Sequence, residues 1–121
     1  MRILVVDDES DFVSTLVGWL ALKGHEAFGI TGSTDLASWV VRQKTDVVFL
    51  DVFLRDGNGL SLIPKVHAAS PATAVILISG KNDPSTAAAA LKAGAREFFA
   101  KPLDFAVLDQ ALEKIQARGT P

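Results

Sequence analysis

With 121 residues, 49% of them hydrophobic and 21% charged, the chain has the size and composition of one ordinary globular domain, and two domains would not fit. Twelve Lys and Arg against 14 Asp and Glu leave a net charge of -2, without the basic excess that non-specific nucleic-acid binding demands, so no direct nucleic-acid contact is expected. The absence of cysteine excludes disulfides, thiolate zinc sites and cysteine nucleophiles together.

Met1 opens almost directly into the first strand, so no segment is expected before the domain. Asp7, Asp8, Glu9 and Asp11 fall where the apolar core of a signal peptide would lie. No apolar run approaches the roughly 18–20 residues of a membrane helix, and the reading is cytoplasmic, with no membrane partner. Five short apolar runs predict strands: Ile3-Leu4-Val5-Val6, Ala27-Phe28-Gly29-Ile30, Val47-Val48-Phe49-Leu50, Ala74-Val75-Ile76-Leu77-Ile78 and Phe98-Phe99-Ala100. Helical patterns lie between and after them. Ser10 to Lys23 carries Phe12, Leu16 and Leu20 at i, i+4, i+8 and stops at Gly24, and Thr34 to Lys44 carries Leu36 and Val40. Asn58 to Ala69 contains Pro64, which cannot donate a backbone hydrogen bond and is expected to kink the helix or move its start. Pro84 to Ala93 has Asp83 as N-cap, Pro84 at its first position and Gly94 as its stop. Asp104 to Ala117 closes the chain with Phe105, Leu108, Leu112 and Ile115 on one stripe, before Gly119 and Pro121.

Continuous apolar strands, unlike alternating ones, are buried on both faces, which marks a parallel sheet between helices. The fold class is therefore α/β, a (βα)5 doubly wound five-stranded parallel sheet, with ligands expected outside the carboxyl ends of the strands. There the chain places Asp7 and Asp8 after the first strand, Asp51 after the third, Ser79 after the fourth and Lys101-Pro102 after the fifth. Carboxylates gathered at one sheet edge repel unless a cation compensates them. Oxygen ligands without cysteine or a suitably placed histidine favour magnesium, which uses one or two carboxylates, waters and phosphate oxygens. Lys101 adds a compact positive charge and Ser79 a hydroxyl, which completes a set suited to phosphoryl transfer. Each piece alone has a plainer role: acids at the positive end of the first helix, a loop acid opening the turn Asp56-Gly57-Asn58-Gly59, a turn serine, a solvated lysine before a loop proline. Their meeting at one edge favours the chemical reading.

The segments Ile3 to Asp8, Leu50 to Leu60, Ile78-Ser79-Gly80, and Gly94-Ala95 running to Phe98 and Lys101-Pro102 together resemble the receiver domain of two-component response regulators, over residues 1 to about 118. The resemblance implies a flavodoxin-like strand order 2-1-3-4-5. It makes Asp51 the phosphoacceptor, Asp8 a direct magnesium ligand, Asp7 an acid acting on the metal through water, and the backbone carbonyl of Phe53 a further ligand. Manganese would substitute for magnesium. Ser79 and Lys101 would bind phosphoryl oxygens, Ser79 and Phe98 would form the switch, and Pro102 would follow a cis bond. The partner implied is a sensor histidine kinase or phosphotransfer protein. The surface of the fourth helix, fifth strand and fifth helix would serve homodimerisation or output control, with Phe98 as a plain core aromatic the simpler alternative.

Arg55 departs from the family, which commonly has proline there, so the loop loses a fixed φ and gains a cation; altered kinetics are expected. Phe53 and Lys81 are expected to shield the acyl phosphate from water. His25 and His67 are read as surface residues. The activity expected is regulatory, with the domain catalysing only its own phosphorylation and dephosphorylation. Two other readings compete. A haloacid-dehalogenase-like phosphohydrolase would need an Asp-x-Asp motif at the first strand and a cap for which the chain has no room; a phosphorylation-independent pseudo-receiver would keep the fold as a docking surface. The domain is placed at residues 1–118, with 119–121 a natural tail or the start of a linker to an output domain.

Overall fold

The computed structural model describes residues 1–32, 35–80 and 83–119. Five strands, β1 (Arg2–Val6), β2 (Glu26–Ile30), β3 (Val47–Asp51), β4 (Ala74–Ser79) and β5 (Glu97–Ala100), form one sheet in the order β2-β1-β3-β4-β5, and every pairing is parallel. The helices are α1 (Ser10–Leu22), α2 (Leu36–Arg42), α3 (Gly59–Ala69), α4 (Pro84–Ala93) and α5 (Phe105–Gly119). The expected fold class and strand order are both found.

Successive side chains on a strand point to opposite faces, so an unbroken apolar run supplies two cores at once. Ile3, Val5, Val47, Phe49, Ile76 and Ile78 pack with Val13, Leu16 and Leu20 of α1 and Leu108, Leu112 and Ile115 of α5. Their neighbours Leu4, Val6, Val48, Leu50, Val75 and Leu77 pack with Leu36, Val40, Ile63, Val66 and Ala90 from α2, α3 and α4. Burial of each large side chain in these cores is worth about 2 kcal/mol, and it fixes the strand ends on which the acids stand. The outer strands β2 and β5 contain no fully buried residue, as edge strands should not. Gly29 on β2 is required by α1, since a Cβ there would lie 2.3 Å from Val13 Cγ1.

The structure departs from the sequence reading at several boundaries. All five strands begin or end one residue beyond the apolar run, β1 at Arg2, β2 at Glu26, β3 at Asp51, β4 at Ser79 and β5 at Glu97, because the ladder continues through polar residues. Helix α2 is shorter than expected, Leu36 to Arg42; Thr34 lies outside the described residues. Helix α3 starts at Gly59, capped by the Asn58 side chain, which accepts from the Leu60 N–H at 2.8 Å, and it runs on past Pro64 instead of starting after it. Pro64 is exposed, so its ring costs no packing, and Ile63 and Val66 on the buried face hold the helix. Helix α5 includes Gly119, two residues beyond the expected end. An unexpected two-stranded hairpin, Phe53–Leu54 against Gly57–Asn58, follows β3. His25 and His67 are half-buried instead of exposed: the first meets the Met1 amine at Nδ1, 3.1 Å away, and the second packs its ring at the position of Gly94, where a Cβ would lie 3.2 Å from it. Burial, then the neighbouring amine, lower the His25 pKa.

Candidate functional site

Strand register assembles the site. Val6 pairs with Leu50, Leu50 with Leu77, Asp51 with Ile78 and Ser79 with Ala100, so Asp7, Asp51, Ser79 and Lys101 leave the sheet at one edge within a residue of each other. Asp7 and Ser79 are fully buried and Asp51 nearly so, while Asp8 is half-buried. The Lys101 ammonium lies 2.7 Å from Asp7 Oδ2, 3.0 Å from Glu9 Oε1 and 4.0 Å from Asp51 Oδ2. Its peptide bond to Pro102 is cis, and the Lys101 N–H donates to the Ser79 carbonyl at 2.8 Å, tying the loop after β5 to the end of β4.

The carboxylates are held individually. Asp7 Oδ1 accepts from the Glu9 N–H at 2.9 Å. Asp7 Oδ2 is buried without an accepted hydrogen bond of good geometry, and the Lys101 ammonium meets its charge. Asp51 Oδ1 accepts from the Phe53 N–H at 3.2 Å, which leaves Oδ2 toward Lys101. Asp8 Oδ2 accepts from the Arg55 N–H at 2.6 Å, a bond that a proline at 55 could not make. Burial and then the charge of Asp7 raise the Asp51 pKa, against the Phe53 N–H and Lys101, which lower it. Burial alone would lower the Lys101 pKa, but Asp7, Glu9 and Asp51 outweigh it and raise it.

A helix must also approach closely. Gly59, the first residue of α3, donates its N–H to the Val52 carbonyl at 2.8 Å, and a Cβ on it would lie 2.3 Å from the Asp51 carbonyl oxygen. Only glycine allows α3 to start against the backbone at the end of β3.

Asp7, Asp51 and Lys101 are brought together as the sequence suggested, and Asp8 stands beside them in the chain. Phe98 is half-buried against the core beneath α2, α3 and α4, and Phe53, two residues past Asp51 in the first arm of the hairpin, is 48% exposed. Lys81 lies outside the described residues. Sequence reasoning missed Glu9 and Phe12 as partners of Lys101: the Phe12 ring centroid is 4.3 Å from its Nζ. Glu9 had a signal, as the third acid of the run Asp7-Asp8-Glu9; Phe12 had none, because it sits in the apolar stripe of α1.

The chain matches the response regulator receiver domain family over residues 3–113. It is 34% identical over 119 residues to the DNA-binding transcriptional regulator NtrC of Azospirillum brasilense, covering 98% of this chain and 25% of that protein, so the chain spans about a quarter of that relative's length. Among solved structures it resembles a response regulator protein from Burkholderia pseudomallei with a phosphorylated aspartic acid, calcium ion and citrate: 26% identity, TM-score 0.84, 98% of this chain and 72% of that one. It also resembles the beryllofluoride-activated NtrC4 receiver domain dimer at 32% identity and TM-score 0.83, covering 96% of this chain and 93% of that one. Acids, hydroxyl and lysine in this order, on a parallel sheet wound in this order, agree with those matches, and the chain belongs to the response regulator receiver domain family.

Proposed function

We propose that the domain accepts a phosphoryl group on Asp51 from the phosphohistidine of a sensor histidine kinase or phosphotransfer protein. The supporting observation is the Asp51 carboxylate, nearly buried at a strand end, with one oxygen held by a backbone N–H and the other toward the Lys101 ammonium. In the transfer, Asp51 Oδ2 forms a bond to phosphorus as the donor's P–N bond breaks, and the imidazole leaves with the electron pair. Lys101 and Ser79 neutralise and hold the phosphoryl oxygens, and positioning with charge neutralisation supplies the catalysis. Hydrolysis of the resulting acyl phosphate returns the domain to its resting state; the chemistry acts on the domain itself.

The donor set fits a hard divalent ion: two carboxylates on neighbouring strands, and a buried Asp7 oxygen with no hydrogen bond of good geometry. Asp8, Asp51 and the Phe53 backbone carbonyl would hold magnesium, or manganese in its place, and Asp7 would act on it through water. Among the described residues no group of three or more His, Cys, Asp or Glu could by itself hold a metal, so most of the ion's shell would come from water, carbonyl and phosphoryl oxygens. When bound, the ion supplies positive charge to the transferring phosphoryl group. Phe53 shields the acyl phosphate, and Phe53→Asn is expected to shorten its half-life.

Ser79 and Phe98 form the switch, and the surface of α4, β5 and α5 carries its output as a dimer contact or a docking face. Among the described residues no helix is long and apolar enough to cross a membrane; the proposed phosphotransfer would take place in the cytoplasm, where the kinase's phosphohistidine would lie. A magnesium titration followed by thermal melting tests the metal reading: ion binding to the folded state raises Tm with concentration. The wild type is expected to show that rise and Asp8→Ala to lose it. A wild type whose Tm ignores magnesium contradicts the proposal and favours a phosphorylation-independent docking module.

A further inference from the structure

We propose that Phe12 is a positioning residue for Lys101, holding its ammonium at the acid edge through a cation–π contact. The inference rests on the reading of Lys101 as the phosphoryl-binding cation and assigns what keeps it there. Lysine ends in a mobile point charge on a four-carbon stem, so its place depends on what surrounds the ammonium. Of its carboxylate contacts, Asp7 is fully buried, but the Glu9 side chain is 69% exposed. An exposed partner restrains weakly and draws the ammonium toward water, away from Asp51 at 4.0 Å.

The Phe12 ring offsets this pull. Its centroid is 4.3 Å from Nζ, inside the ~6 Å within which a ring face attracts a cation. Phe12 stands in the first turn of α1, just after the N-cap Glu9, and its ring is anchored against the core shared by α1 and α5. Phe12 and Lys101 also line one mainly apolar cleft of about 430 Å³ with Gly80, Leu103 and Phe105. Apolar walls weaken screening and strengthen the attraction between ring and ammonium.

The test compares the 121-residue wild type with Phe12→Leu, which keeps apolar bulk but has no ring face, and Phe12→Tyr, which keeps the face. Two readouts are taken: the ring-current shift of the Lys101 ε-methylene protons by NMR, and the initial rate of phosphorylation by acetyl phosphate with magnesium. Phe12→Leu is expected to lose the shift and slow the reaction by about three- to tenfold, while Phe12→Tyr retains the shift and a rate within about twofold of wild type. A Leu variant with unchanged rate overturns the inference. So does a slowed Leu variant whose Lys101 resonance has not moved, or a Tyr variant slowed as much as Leu. A wild type that takes no phosphoryl group fails the phosphoacceptor reading instead, and the Lys101 resonance then decides the placement by itself.

Discussion

Asp51 is held at a cost to the fold. Burial and the charge of Asp7 raise its pKa, so between the ordinary carboxylate value and that raised value the folded chain binds more protons at this site than the unfolded chain. Stability therefore falls as pH rises through the interval and stays lowered above it. Asp51→Asn removes the charge, and urea unfolding is expected to show the variant more stable than wild type at neutral pH, with the gain gone below about pH 3, where both carboxyl states are protonated. A variant equal to the wild type at neutral pH would contradict this account of the site's electrostatics. The position of this residue at the end of a buried strand was legible in the sequence; its environment was not. That Asp8 is tied to the Arg55 N–H, or Lys101 to Glu9 and Phe12, depends on side-chain and loop paths that no spacing in the sequence encodes.

At the scale of elements, the apolar runs and caps were legible because burial on both faces needs unbroken hydrophobicity and because a cap needs a particular residue. Asp83 does accept from the Ser85 N–H at 3.0 Å, and Gly94 does end α4 with φ 109°. The hairpin after β3 was hidden because each of its arms is only two residues long, Phe53-Leu54 and Gly57-Asn58, too short to show a strand periodicity, and the second arm reads as a turn and a helix start. Pro64 lies inside α3, as the sequence has it, between Ile63 and the nearby Val66, whose burial supports the helix where one backbone donor is missing. The junction of β3 and α3 is where element packing and site meet. Gly59→Ala would set a methyl group 2.3 Å from the Asp51 carbonyl oxygen and 3.1 Å from Val52 Cα, both backbone atoms that cannot rotate aside. The expected cost is about 1–3 kcal/mol, the usual penalty of overpacking, read as a lower urea midpoint. An unchanged midpoint would show that α3 can retreat from β3 without loss.

For the whole molecule, one device accounts for fold and site together. A parallel sheet in register brings the ends of its central strands to the same edge, where Asp7 follows β1 and Asp51 and Ser79 close β3 and β4, and Lys101 follows β5 beside them. The two cores hold that edge still from both faces. Phosphorylation of Asp51 is measured by intact-mass spectrometry after incubation with acetyl phosphate, with and without magnesium, on the wild type and Asp51→Asn. A magnesium-dependent gain of about 80 Da, one phosphoryl group, is expected in the wild type and none in the variant. The same gain in Asp51→Asn, or no gain in the wild type with magnesium present, would contradict it.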